Sequence, residues 1–314
     1  MTVRLIVHSR RGKWKGGASL AARLLVAVTV VSLALVPGRP PTVAQARAIP
    51  QPVRHVVILS IDGARADATR AVISSALLAR AAYSWTAQTT LPSSTLPAHT
   101  SMLTGVPPAV HGMRSNPDNP RGYIQIPTVF SVVTQNGGRA AAFVNKRKLL
   151  FLVRPGTAAR AEYLPYPRYK MLAAVQEATR YLVQHEPRLL FIHVADPDAQ
   201  GHRYGWTTEP YIAAMRQVSE AVSAILDVLM RMGRLDDSLV IVTADHGGRG
   251  RLHGGSSPEE TTVPWLAFGA VQPGPIIKPV MIYDTAATAV AALGLAIPRT
   301  WLGAPVVQIV EKVR

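Results

Sequence analysis

Four short runs of consecutive apolar, mostly small or β-branched residues constrain this chain more than any other feature. They are RHVVILSI (54–61), RAAAFVN (139–145), RLLFIHVA (188–195) and SLVIVTA (238–244). A strand with one wetted face alternates apolar and polar side chains. These runs are near-continuously apolar and bounded by polar residues, as strands are when both faces of a parallel sheet are covered. Amphipathic stretches separate them, at 66–83, 127–135, 168–184 and 209–232. The last repeats Val218, Val222, Ile225, Leu229 and Met232 near a 3.6-residue period. A final helix is expected over 284–293, with Gly294 as its stop signal. Such alternation predicts an α/β fold, a three-layer αβα sandwich on a mostly parallel central sheet.

With 314 residues the chain can bury one large core, and 48% hydrophobic composition without a low-complexity tail reads as globular. It has no cysteine, which excludes structural disulfides, cysteine-type zinc sites, a thiol nucleophile and a lipidated N-terminal Cys. Arg4, Arg10, Arg11, Lys13, Lys15 and Arg23 precede an apolar stretch at 24–36, and Ala44-Gln45-Ala46 follows with small-x-small spacing. That apolar stretch is shorter than the roughly 20 residues a membrane span needs. Residues 1–46 therefore read as a signal peptide or an uncleaved anchor, 47–52 as a linker and 53–314 as the functional domain. Export to a periplasmic or extracellular location is expected, with membrane attachment only if the segment stays uncleaved. Seven of the 34 basic residues lie before residue 47 and no acidic one does, leaving +9 on the remainder. This surplus favours anionic substrates through long-range steering. No basic stripe interleaved with aromatics accompanies it, so no nucleic-acid partner is expected.

Metal-ligating residues sit at the ends of the apolar runs. Asp62 ends the first, Asp198 and His202 lie in DPDAQGH (196–202), Asp245 and His246 in VTADHGG (242–248), and His253 in RLHGG (251–255). In open α/β sheets, ligands bind beyond the carboxyl ends of the strands. Asp198 and His202, spaced i, i+4, share one face of a helical turn and could grip one ion; Gly201 beside them reads as backbone flexibility. Three carboxylates and three imidazoles suit borderline divalent cations, with Zn²⁺ first and Mn²⁺ or Mg²⁺ as alternatives. Thr95, in LPSSTLPAHTSMLTG (91–105), is the candidate nucleophile, with Ser93 and Ser94 as competitors. Pro97 two residues on predicts a helix N-terminus at Thr95, where backbone N–H groups attract an anion. His99, His111 and His193 read as structural histidines.

The order Asp62, TLPAHTSMLTG, DPDAQGH, ADHGG and a last HG resembles the alkaline phosphatase superfamily, most closely its type I phosphodiesterase/nucleotide pyrophosphatase family. The resemblance spans 53 to about 270. It implies that Asp62, Asp245 and His246 hold one ion, with Thr95 bridging to it, and that Asp198, His202 and His253 hold the other. It also implies that Asn116, in HGMRSN, hydrogen-bonds a phosphoryl oxygen, and that a covalent phospho-threonine forms and is hydrolysed. One ion would activate the Thr95 hydroxyl and the other would stabilise the departing oxygen.

Two features depart from that pattern. Lys146 and Lys148, in FVNKRKLL, resemble the Lys-x-Lys of phosphonoacetate hydrolases and the basic pair of some monoesterases, and imply contact with the extra charge of a monoester or phosphonate; the bland alternative is a solvated basic loop. Only six residues separate His246 from His253, so the usual capping material is missing and an open pocket is expected. The expected function is an exported two-metal phosphoric-ester hydrolase acting on a small phosphate ester or phosphonate. The alternatives are a phosphomonoesterase or phosphonate hydrolase, a transferase using the same intermediate, or a non-catalytic metal-binding domain.

Overall fold

The computed structural model describes residues 52–307. The expected signal segment 1–46 and linker residues 47–51 lie outside the described residues. All four apolar runs form strands: β1 (His55–Ile61), β3 (Ala140–Val144), β5 (Leu189–Val194) and β6 (Ser238–Thr243), with every residue in them buried. Four further strands, β2 (Ala82–Gln88), β4 (Arg160–Tyr163), β7 (Thr262–Gly269) and β8 (Gly274–Pro275), complete a sheet in the order β4-β3-β5-β1-β6-β7-β2-β8. Only β7 opposes the common direction, pairing antiparallel with both β6 and β2.

Among the described residues, nine α-helical segments lie between the strands and a tenth follows β8: α1 (Ala66–Val72), α2 (Ser75–Leu78), α3 (Thr95–Thr104), α4 (Pro108–His111), α5 (Val129–Gln135), α6 (Met171–His185), α7 (Asp196–Tyr204), α8 (Glu209–Arg231), α9 (Pro258–Thr261) and α10 (Asp284–Ala292). Helix α8 packs against α1 and α6, whereas α10 packs against α3 and α5. These two groups form the outer layers of the αβα sandwich. Side chains such as Ile58, Leu59, Phe130, Phe191 and Trp265 are fully buried between the layers, each contributing roughly 1.5–3 kcal/mol through removal from water.

The helix expected over 66–83 is the clearest departure. It divides into α1 and α2, then gives way to β2. Ser74 starts a new turn by accepting a hydrogen bond from the Leu77 N–H. In AYSWTAQ, Ala82, Ser84 and Ala87 are buried while Tyr83, Trp85 and Thr86 are not, a near-alternation that pairing with β7 rewards. Tertiary pairing overrode an alanine-rich pattern that reads equally as helix. The other four expected helices, observed as α5, α6, α8 and α10, fall within three residues of expectation, and Gly294 takes the left-handed conformation that ends α10, at φ 69°.

Strand register brings the chemistry to one edge. Ile61 pairs with Val194, Ser60 with Thr243 and Val144 with His193. The segments leaving β3, β5, β1 and β6 therefore emerge side by side, carrying Lys146, Asp198, Asp62 and Asp245 respectively.

Candidate metal centre

The six expected ligands gather into two sets of three. Asp62, Asp245 and His246 form an inner, fully buried set; Asp198, His202 and His253 form an outer set that reaches the surface. In the inner set, His246 Nε2 lies 3.5 Å from Asp62 Oδ1 and 3.3 Å from Asp245 Oδ2. In the outer set, Asp198 Oδ1 lies 3.4 Å from His202 Nε2 and 3.6 Å from His253 Nε2. Tetrahedral zinc with bonds of about 2.0–2.1 Å separates its ligand atoms by about 3.3 Å, so both clusters have the right span.

Each ligand has one polar atom tied to the protein and the other left over. The Nδ1–H groups of His246, His202 and His253 donate to the carbonyls of Gly247 (2.8 Å), Arg251 (2.9 Å) and Ser93 (3.0 Å). A ring proton fixed at Nδ1 leaves the Nε2 lone pair free in all three. Asp245 Oδ1 accepts the N–H groups of Gly63 and His246, leaving Oδ2. Asp62 Oδ2 accepts from His193 Nε2 at 2.8 Å, leaving Oδ1. Asp62 Oδ1, Asp245 Oδ2, His246 Nε2 and Asp198 Oδ1 are all buried without a hydrogen-bond partner. Four such atoms converging is what a metal site leaves behind when its ligands are described alone. The residues fit two divalent ions.

Helix α7 carries Asp198 and His202 on one face, as their spacing predicts. Gly201 between them does not supply flexibility: a Cβ there would lie 2.5 Å from the Trp206 ring, so glycine is required for close packing. Trp206 is a wedge. It lies against Gly201 on α7 and Gly248 after the Asp-His pair, and donates from Nε1 to the Gly63 carbonyl beside Asp62.

Thr95 is the first residue of α3, with Ser94 at the cap position and Pro97 third in the helix. The helix terminus offers an anion less than its sequence promises, because Pro97 has no N–H and the Leu96 N–H is spent on Asn116 Oδ1 at 3.1 Å. Asn116 Oδ1 also takes a hydrogen bond from Lys148 Nζ at 3.2 Å, and Lys148 pairs with Asp118 at 2.8 Å. These contacts fix the Asn116 amide and leave its Nδ2 uncommitted. Lys146 Nζ reaches Asp198 Oδ2 at 2.6 Å, Asp62 Oδ2 at 2.7 Å and Thr95 Oγ1 at 3.1 Å. Neither lysine is a solvated loop residue. Both line a cavity of about 600 Å³ together with Thr95, Asn116, Asp198, His202 and His253. Ser93 and Ser94 stand apart from it: Ser93 Oγ donates to the Gly255 carbonyl.

Three carboxyl groups and one ammonium share this buried ground. Burial alone would raise the Asp62 carboxyl, but the Lys146 charge and the His193 hydrogen bond hold it well below its ordinary value. Burial, reinforced by the charge on Asp62, pushes Asp245 well above it. Burial opposes the Lys146 charge, yet Asp198 and Asp62 override it and raise the lysine. Burial and the neighbouring His253 lower His246 to about 4, and burial lowers His253 as well. Neutral imidazoles with free Nε2 atoms are the form that binds metal.

Two histidines read as structural from the sequence touch the site. His193 binds Asp62, and its Nδ1 takes the Asn145 N–H at 3.3 Å. His99, fully buried, bonds the Thr95 carbonyl at 2.7 Å and Ser60 Oγ at 2.8 Å, and its Nδ1 lies 3.4 Å from Asp245 Oδ2. The sequence places His193 inside a strand, but only the pairing of β5 with β1, which sets it opposite Ser60 and two positions from Asp62, brings it to the site. His111 bonds Ser101 Oγ and the Met113 N–H, away from the ligands.

The sequence pattern of the type I phosphodiesterase / nucleotide pyrophosphatase family matches residues 56–128 and 126–250. A phosphopentomutase from Methylobacterium sp. is 39% identical over 118 residues, 36% of this chain and 27% of that protein. GPI ethanolamine phosphate transferase 1 from Gibberella zeae is 26% identical over 108 residues, 34% of this chain and 11% of that protein. The chain thus aligns with only a minor part of these curated relatives. An inactive variant of murine ectonucleotide pyrophosphatase / phosphodiesterase 5, solved in complex with AMP, superposes with a TM-score of 0.65 at 14% identity, covering 79% of this chain and 97% of that one.

Proposed function

The chain belongs to the type I phosphodiesterase / nucleotide pyrophosphatase family, and on that footing we propose that it is a metal-dependent phosphoric-ester hydrolase acting through Thr95. The observation that carries this reading is the six ligand atoms left free in two sets, beside a threonine hydroxyl that shares the Lys146 ammonium with Asp62 and Asp198. Asp62, Asp245 and His246 would hold one divalent ion and Asp198, His202 and His253 the other. The mixed oxygen and nitrogen donors favour Zn²⁺, with Mn²⁺ or Mg²⁺ as alternatives. When bound, the two ions supply Lewis-acid stabilisation of the attacking and leaving oxygens.

The chain's own residues do the rest. Thr95 Oγ1 attacks phosphorus, the bond to the leaving-group oxygen breaks, and water later cleaves the phospho-threonine. Asn116 offers its Nδ2 to a phosphoryl oxygen. The His99 contact to the Thr95 carbonyl fixes the nucleophile's backbone. A small phosphate ester fits the cavity. The AMP bound by the murine relative is a phosphomonoester, the product that a nucleotide diester or pyrophosphate would release, and it supports nucleotide esters as the first substrate class to try. A second reading, a monoester or phosphonate substrate, rests on Lys146 and Lys148 both lining the cavity. Transfer to an acceptor other than water would use the same phospho-threonine, and the relative named as an ethanolamine phosphate transferase makes product analysis worthwhile. The basic and apolar segment ahead of Ala46 supports export, and N-terminal sequencing of the secreted protein tests cleavage there.

The test of the reaction compares hydrolysis of bis(p-nitrophenyl) phosphate and p-nitrophenyl phosphate, with zinc, with chelator and with Thr95→Ala. Chelator-sensitive diester turnover that disappears in Thr95→Ala is expected. Monoester preference would favour the second reading. No metal-dependent turnover of either compound would count against a hydrolase.

A further inference from the structure

Lys146 contacts one carboxylate from each ligand set and the Thr95 hydroxyl. Its ammonium takes Asp198 Oδ2 at 2.6 Å, Asp62 Oδ2 at 2.7 Å and Thr95 Oγ1 at 3.1 Å. Among the described residues, no other lysine or arginine is paired with Asp62, Asp198 or Asp245. We propose that Lys146 is a built-in counter-ion that holds the two ligand sets together in the metal-free protein and is released from the carboxylates when divalent cations bind. This inference rests on the two-metal reading of the site.

The physical case is one of charge and anchoring. Buried carboxylates facing one another repel, and without a cation they would spread apart or take up protons. An ion held by Asp62 Oδ1 or Asp198 Oδ1 sits on the other oxygen of a carboxylate that Lys146 already grips. Two positive charges at that range, in a site screened from water, repel strongly. The backbone beneath Lys146 cannot yield. Asn145 is pinned through Oδ1 by the Ala195 N–H at 3.0 Å, and donates through Nδ2 to the carbonyls of Leu164 at 2.7 Å and Tyr169 at 3.1 Å. The side chain can yield: it is four methylenes long, 21% exposed, and borders the 600 Å³ cavity. Released into that cavity, the ammonium faces a phosphoryl anion instead of its own carboxylates. Metal loading and anion binding are then coupled, each strengthening the other.

Lysine acylation of the full-length protein, mapped by mass spectrometry, reads the switch directly. With chelator present, Lys146 should resist an N-hydroxysuccinimide acetate. With zinc it should react at least tenfold faster, while Lys148, paired with Asp118, keeps its rate. An equal Lys146 rate in both states overturns release. Zinc titration of K146M reads the competition: affinity at least tenfold above wild type is expected, with K146R close to wild type. If chelated K146M does not fold, K146Q carries the same comparison. Unchanged or weaker zinc affinity in the uncharged variant overturns the counter-ion. A wild-type protein that takes up no zinc, manganese or magnesium overturns the two-metal reading itself and release with it, whereas metal uptake with an unmoved Lys146 sinks this inference alone.

Discussion

The inner and outer ligand sets use the same residue types but rest on different foundations. Asp62, Asp245 and His246 lie just past the ends of two central strands, with side chains fully buried. Asp198 and His202 stand on helix α7, His253 on a glycine-rich loop, and His202 is 44% exposed. Strand ends are locked by the sheet register, whereas a helix and a loop can shift against one another. The inner set should therefore hold its ion tightly and exchange it slowly, and the outer set should be the one that opens to substrate and solvent. Trp206, wedged between α7 and Gly248 and bonded to the Gly63 carbonyl, ties the outer half to the inner half.

The largest test breaks one half at a time. Asp245→Asn keeps size and removes one of the two carboxylates of the inner set. Loss of the inner ion should lower turnover by about a thousandfold or more, since a metal's stabilisation of the transition state amounts to several kcal/mol. Excess zinc should not restore it. His202→Asn should be inactive at equimolar zinc yet recover in excess metal. Equal failure to recover in both variants would remove the distinction between the halves.

Much of this contrast is legible in the amino-acid sequence alone. Asp62, Asp198 and Asp245 follow continuous apolar runs, and a parallel sheet must bring such ends to one edge. Residues that act through another residue are harder to see. His193 reads as a buried strand histidine because nothing local shows that β5 lies beside β1, and only that pairing brings it to Asp62. Gly201 suggests flexibility until Trp206 is found against it. The strand β2 is hidden for the same reason: AYSWTAQ is decided by its partner β7, whose residues come nearly two hundred positions later. Local chemistry survives in sequence; contacts between distant segments do not.

The next effect concerns protons and belongs to the inner half. In the folded, metal-free protein His246 titrates at about 4 against an ordinary value of 6.5, so the unfolded chain takes up the proton first. Its contribution to stability is whole above pH 6.5 and is lost as pH falls through the window from 6.5 to about 4. The full loss is on the order of 3 kcal/mol. Chelated protein should become easier to unfold in urea across that window, and His246→Gln should flatten the slope. An unchanged slope in the variant would mean that other groups carry it.

His193→Leu sharpens the comparison further. Removing the 2.8 Å bond to Asp62 Oδ2 takes away an outer support of one inner ligand, a change that typically weakens metal binding about 10- to 100-fold. Calorimetric zinc titration should show the tighter of two binding events weakened and the other unmoved. Weakening of the looser event alone would place His193 on the wrong side of the divide.

The smallest expected effect falls on the hinge between the halves. In Gly201→Ala the new methyl would lie 2.5 Å from the Trp206 ring, and the ring cannot retreat because it already fills the space a Cβ on Gly248 would occupy, at 2.2 Å. Helix α7 must therefore move, at a cost of about 1–3 kcal/mol for overpacking. That shift carries Asp198 and His202 away from His253 while the strand-end ligands stay in place. A modest fall in melting temperature should accompany weaker binding of the looser ion alone. If the tighter ion weakens equally, Trp206 transmits strain across the centre and the two halves form one rigid unit.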